Sequence, residues 1–331
     1  MRPDLRPAVS ALAAAAVLAL TAAPAAAAAA PDSFTIEDPR IKESSGLVAS
    51  RLHPGVYWTH NDSDDGPYLY GVDAATGRTV ARVTMTGVGS PRDVEAISLG
   101  PDGRLYVGDI GDNRNGSWDH VWIYRLPEPR QLGNSTVKAT QFTVRYADGP
   151  RNAEALMVHP VTGRVYIASK NEDGGGLYEG PAQLAAGGSN TFRRVAEVPW
   201  VTDGAFSPDG KRLTLRGYFF AETYAWQGGR TTGEGERVRA PFQPQAESVA
   251  YAPGGTALMF GSEGSQSRVV AVPVAADGPA GGGSGTDKPR GGAAAGPAAA
   301  GDEGSYATGA MVLALAVAVV FGLKRLVRRG G

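Results

Sequence analysis

The sequence predicts an all-β propeller, and three observations lead there. Five segments repeat one pattern: a small or acidic residue, a short apolar run, a turn, then a second apolar run. The turns are rich in Pro, Asp and Gly, as in Pro101-Asp102-Gly103 and Pro208-Asp209-Gly210, which are hairpin signals. Neither helical heptads nor strand–helix alternation interrupts the pattern.

The repeats begin at Ser44, Val94, Ala153, Thr202 and Ala246, and align on Ser45, Glu95, Glu154, Asp203 and Glu247 with spacings of 50, 59, 49 and 44 residues. Two more strand-like runs follow each hairpin. They are Tyr68–Val72 and Thr79–Met85, then Val121–Leu126 and Lys138–Tyr146, then Leu177–Tyr178 and Phe192–Val198, then Thr223–Trp226 and Arg237–Pro241. The fifth unit has only Arg268–Val274, so its outer strand is expected from Phe34–Ile36, which precedes the first unit and would close the ring. Four strands in each of five repeats make a five-bladed propeller over residues 33–275. The long 59-residue spacing leaves six blades as the alternative.

The flanks differ from this domain. Residues 1–30 carry Arg2 and Arg6, an apolar stretch and an alanine run before Pro31, the pattern of a secretory signal peptide. Residues 276–304 are Ala, Gly, Pro and Ser with a few charges, a composition that buries too little to order itself and would serve as a flexible linker of roughly 30 Å. Residues 305–323 are long and apolar enough for a transmembrane helix, and Lys324, Arg325, Arg328 and Arg329 make a basic cytoplasmic tail over 324–331. The arrangement is similar to a cell-wall sorting signal but lacks its Leu-Pro-x-Thr-Gly motif. The expectation is a single-pass cell-membrane protein with its propeller outside, tethered through the C-terminal helix.

Composition removes several classes of function. The formal charge of −1 gives no basic face for nucleic acid. The absence of cysteine removes disulfides, thiolate metal sites and cysteine nucleophiles. No Gly-x-Ser-x-Gly elbow, His-Glu-x-x-His or phosphate-binding Gly-Lys-Ser/Thr loop occurs, so no catalytic residue is assigned. Of the four histidines, His53 and His159 sit beside proline in hairpin turns and are expected to face solvent. His120 is a loop contact, and His60 alone falls among polar loop residues.

In a four-stranded meander, the start of each first strand and the loop between second and third strands share one end of the blade. Ser45, Glu95, Glu154, Asp203 and Glu247 should therefore ring one channel mouth. The loops at that mouth supply Asn61, Asp62, Asp109, Asp112, Asn113, Lys170, Glu172, Arg216 and Glu263 as candidate ligand-binding residues. Carboxylate and amide oxygens in such numbers suit a hard cation, Ca²⁺ above all, with Glu95, Glu154, Asp203 and Glu247 as the metal set. The competing reading is structural, because such residues also accept backbone N–H groups and build turns. Tyr57, Trp58, Tyr106 and Tyr166 occupy equivalent second-strand positions and are assigned to the packing between blades. Trp118, Trp200, Tyr218 and Phe219 fall near the polar face.

The Phe206-Ser207-Pro208-Asp209-Gly210-Lys211 turn and the Glu43-Ser44-Ser45-Gly46-Leu47 opening resemble those of bacterial extracytoplasmic WD-repeat-like propellers, over most of residues 33–275. The resemblance implies the fold and a menu of activities that includes calcium-dependent lactonases and phytase-like phosphatases. The sequence favours a binding or protein-interaction module acting through the acidic mouth, with an extracellular protein or small molecule as ligand. The alternative is a calcium-dependent hydrolase of the lactonase or phosphoesterase type at the same mouth.

Overall fold

A computed structural model describes residues 31–274 apart from 64, 115 and 171–173. The signal, linker, transmembrane and tail segments, and Glu172, lie outside the described residues. Among the described residues no helix is long and apolar enough to cross a membrane.

The described residues form five antiparallel four-strand groups. The first is β2 (Ser44–Ala49), β3 (Val56–Asn61), β4 (Tyr68–Asp73) and β5 (Thr79–Thr86). The second is β6 (Val94–Leu99), β7 (Arg104–Asp109), β8 (Val121–Pro127) and β10 (Thr140–Tyr146), and the third β11 (Ala153–Val158), β12 (Val165–Ser169), β13 (Gly175–Glu179) and β14 (Ser189–Val198). The fourth holds β15 (Asp203–Phe206), β16 (Arg212–Arg216), β17 (Ala221–Gln227) and β18 (Arg230–Arg237). The last holds β19 (Ala246–Tyr251), β20 (Ala257–Ser262), β21 (Arg268–Pro273) and, from the other end of the domain, β1 (Phe34–Thr35). Phe34 pairs with Val269 and Thr35 with Arg268, so one group is sewn from both ends of the domain.

The first strands lie against one another in a closed cycle: β2 on β6, β6 on β11, β11 on β15, β15 on β19, and β19 back on β2. This cycle makes the fold a propeller. Strand alternation explains why whole strands are buried. On β11, Ala155 and Met157 pack towards the fourth group while Leu156 and Val158 pack towards the second. Each interface between successive groups has its own apolar cluster. Trp58, Leu69, Ile97 and Tyr124 fill the first, and Ile123, Phe142, Leu156 and Phe192 the second. Tyr166, Phe206, Leu213 and Trp226 fill the third, Ala221, Val249 and Phe260 the fourth, and Phe34, Tyr57, Tyr70 and Met259 the last. Tyr57, Trp58, Tyr106 and Tyr166 are all buried in these interfaces, as their equivalent positions imply.

Two differences from the sequence expectation have local causes. The fourth strand of the fourth group is Arg230–Arg237 and not Arg237–Pro241. Gly228 and Gly229 both take positive φ, 61° and 82°, which closes a two-residue hairpin and starts the strand at once. The surplus residues between Glu95 and Glu154 form β9 (Gly133–Lys138), which adds in parallel to the edge of β5. A second parallel pairing, β10 with β14, joins the second and third groups at their outer edges.

Phe34 is 6 % exposed and its ring lies 5.5 Å from that of Tyr57 across the last interface. Phe34→Ala should cost about 3 kcal/mol by the usual large-to-small core penalty. Chemical denaturation of the full-length protein measures it, with Val161→Ala, at a position 68 % exposed, expected to stay within about 0.5 kcal/mol of the parent.

Candidate functional site at the polar channel mouth

All five aligned residues reach one mouth and all are buried: Ser45, Glu95, Glu154, Asp203 and Glu247 are each at most 3 % exposed. The chain enters each first strand there and leaves each second strand there, so the loop residues gather at the same end. The opposite mouth is apolar. It holds a cavity of about 230 Å³ lined by Leu47, Ile97, Val158, Phe206 and Tyr251 among others.

The ring residues are spent in different ways. Ser45 donates its hydroxyl to the Glu95 carboxylate at 3.1 Å and to the Glu95 carbonyl at 3.2 Å, which ties the first two groups together. Glu154 forms an ion pair of 3.0 Å with Lys170, whose ammonium also donates to the Tyr218 hydroxyl at 3.0 Å. Asp203 accepts the Val249 N–H at 2.8 Å, a link between the fourth and fifth groups. Glu247 keeps Oε2 buried without a hydrogen-bond partner. The four carboxyls expected as one metal set are thus divided, and only Asp203 is held by a backbone amide of the neighbouring group.

Glu95 is instead joined by Asp62 and Asp93, with one carboxylate oxygen from each residue lying within 4.8 Å of the others. The Asp93 carboxyl stands close enough to raise that of Asp62, and Asp62 Oδ1 is buried with no hydrogen-bond donor on it. Sequence reasoning missed Asp93. Its signal was present, because Asp93 and Glu95 stand two residues apart at a strand start and so share a face. Gly111 stands directly before the pair: a Cβ there would lie 2.6 Å from a carboxylate oxygen of Asp93 and 2.6 Å from one of Glu95.

Most loop candidates are committed to holding the mouth in shape. Asn61 takes the Lys42 and Glu43 N–H groups and donates to the Arg40 carbonyl and Asp65. Asp109 takes the N–H groups of Arg92 and Asp93 and the Tyr124 hydroxyl, the last at 2.6 Å, and so fixes the start of β6. Asp112 closes its own loop through Ser117 and the Trp118 N–H. Asn113 donates to Asp93 at 2.9 Å, and Glu263 accepts from Gln245. Arg216, 1 % exposed, donates to the Ser248 and Gly261 carbonyls and to Gln243. His159, expected to face solvent, and His60, placed among polar loop residues, are both buried. His159 is bonded to the Gly210 carbonyl and packed on Phe206 and Trp226, while His60 lies behind Gly46 with Nε2 unpartnered.

Electrostatics follow from burial. Asp62, Asp93, Glu95, Glu154, Asp203 and Glu247 gather at the mouth, with Lys170 and Arg216 as the bases among them. Loss of solvent, then the neighbouring acids, holds Asp62 and Glu95 well above the ordinary carboxylate range. Burial raises Asp203 against the pull of the Val249 and Gly204 N–H groups, and pushes Glu247 up to about 8. Burial also works against the Lys170 ammonium, but Glu154, with Tyr218, Glu247 and Glu95, outweighs it and keeps the amine charged. His60 falls to about 4 through burial and is neutral at pH 7.

No family model and no curated protein matches the chain. Solved structures similar to it include the PQQ-bound aldose sugar dehydrogenase from Streptomyces coelicolor, at 14 % identity and a TM-score of 0.44, covering 73 % of this chain and 99 % of that one. A glucose dehydrogenase gives 11 % identity and a TM-score of 0.46, covering 74 % and 100 %. A chain of a nidogen–laminin complex gives 15 % and 0.40, covering 67 % and 73 %. Likeness at this level carries no information about activity or ligand.

The raised Glu247 carboxyl sets a pH dependence. Its folded pKa of about 8 lies above the ordinary 4.5, so the folded state holds a proton that the unfolded chain releases. That stabilisation is complete below pH 4.5 and declines as pH rises through the window to about 8. Glu247→Gln should leave stability unchanged near pH 4 and raise it relative to the parent above pH 8. Melting temperatures across that range in chelator-treated buffer test this; parallel curves for the two proteins would refute it.

Proposed function

We propose that the protein is a five-bladed, WD-repeat-like propeller that acts as an extracytoplasmic binding module, with the face around its polar mouth as the contact surface. The observation that carries the reading is an exposed aromatic rim beside that mouth. Trp200, Phe219 and Phe242 are 44 %, 67 % and 74 % exposed. Tyr218 joins the rim to the mouth: its ring lies 6.0 Å from Trp200 and 6.4 Å from Phe219, while its hydroxyl receives Lys170. A cavity of about 140 Å³ opens between Arg216–Phe220 and Ala240–Phe242. Large aromatic surface left in water at the edge of a polar cleft is the mark of a recognition surface. The ring carboxyls lie too deep for a macromolecule to touch, so the rim makes the contact and the mouth receives a side chain or small group.

The position of the last described residues supports the same reading. The Val274 N–H donates to the Thr256 carbonyl at the hairpin end of the fifth group, remote from the polar mouth. A membrane tether leaving from that end would keep the mouth free for a partner.

Labelled full-length protein on glycan and peptide arrays is expected to give hits that disappear with W200A/F219A/F242A and survive Leu52→Ala/Val161→Ala. The triple variant should melt within a few degrees of the parent, since Phe219 and Phe242 are largely in solvent and Trp200 is 44 % exposed. Array binding that persists in the triple variant would place the contact surface elsewhere.

A further inference from the structure

We propose that Asp62, Asp93 and Glu95 hold one divalent cation of the calcium type at the polar mouth, between the first and second groups. The site is distinct from the aromatic rim and does not depend on it.

Geometry carries the assignment. A Ca²⁺ ion bonds oxygen at about 2.3–2.6 Å, so two oxygens on one ion stand up to about 5 Å apart. The three carboxylate oxygens lie within 4.8 Å of one another. They come from two stretches far apart in sequence: Asp62 from the loop after β3, and Asp93 and Glu95 from the start of β6. Each is fixed from outside. Asp109 holds the Asp93 N–H, Asn113 donates to the Asp93 carboxylate, Ser45 donates to Glu95, and the Asp62 N–H is bonded to the Glu43 carbonyl.

Independent of the cluster's spacing, acceptors at this mouth lack donors. Asp62 Oδ1 is sealed from solvent with no hydrogen-bond partner, and Glu247, 3 % exposed, has an unpartnered Oε2 at the same mouth. The nearby bases are engaged elsewhere. Lys170 is taken by Glu154 and Tyr218, and Arg92 lies between the Trp118 and Trp122 rings at 3.9 and 3.8 Å and donates to the His120 carbonyl. Gly111 completes the argument. Any side chain there would meet the Asp93 and Glu95 oxygens at 2.6 Å, so the bare backbone preserves the space in front of them.

The test uses full-length protein stripped with chelator and titrated with Ca²⁺, with Mg²⁺ in parallel. Calorimetry should find one Ca²⁺ per chain, and the melting temperature should rise by roughly 5–10 °C at a hundredfold excess over Kd. Asp93→Asn and Gly111→Ala should each abolish both effects. W200A/F219A/F242A should keep them, which separates failure of this site from failure of the rim. Gly111→Ala leaves every carboxylate in place, so it tests the site should Asp93→Asn not fold. The proposal is overturned if the parent shows no Ca²⁺-dependent shift, or if the shift survives in Gly111→Ala. A response to Mg²⁺ equal to that of Ca²⁺ would also overturn the calcium assignment.

Discussion

Closing five first strands into one ring brings their opening residues together in a space that water barely enters, and the rest of the structure answers to that constraint. A carboxyl withdrawn from water must find a donor, a base, a proton or a cation. The protein uses different solutions at different points around the ring. Asp203 takes a backbone N–H from the next group, Glu154 takes Lys170, and Glu95 takes a serine hydroxyl from the preceding group. Each of the first and last of these also ties neighbouring groups together, so the polar mouth is part of what keeps the ring in register.

The apolar counterpart is the set of interface clusters. Because a strand inside the ring has neighbours on both faces, its side chains serve two interfaces in alternation, and continuous burial replaces the usual alternation of apolar and polar. Without cysteines, the ring is closed only by non-covalent means. The short pairing of Phe34 and Thr35 with β21 is therefore worth more than its two residues suggest, since it joins strands from the two ends of the domain.

Repeat and turn chemistry made most of the fold legible. Five aligned openings, hairpin turns and a strand supplied from before the first repeat could all be read from residue types. What could not be read was local: β9 lies on an edge with mostly exposed residues, so no hydrophobic pattern announced it. The glycine pair at 228 and 229 signalled a turn, but a polar run such as Arg230–Arg237 carries little strand signal until it has a partner. In the site, residue types gathered at one polar mouth, yet Asp109 and Asn61 are taken up by backbone amides there, because the count of oxygens in a loop does not say which face those amides.

The sequence by itself determined an all-β repeat, a polar end for the channel, and the residues that start each inner strand. These follow from periodicity and turn preference, which are local. Only the tertiary structure decided which carboxyls meet. Asp62, Asp93 and Glu95 are neighbours because β2 lies on β6, whereas Glu154 is removed from their set by a lysine sixteen residues further along the chain. Pairwise distance in a closed ring depends on the packing of whole sheets, and no spacing along the chain encodes it.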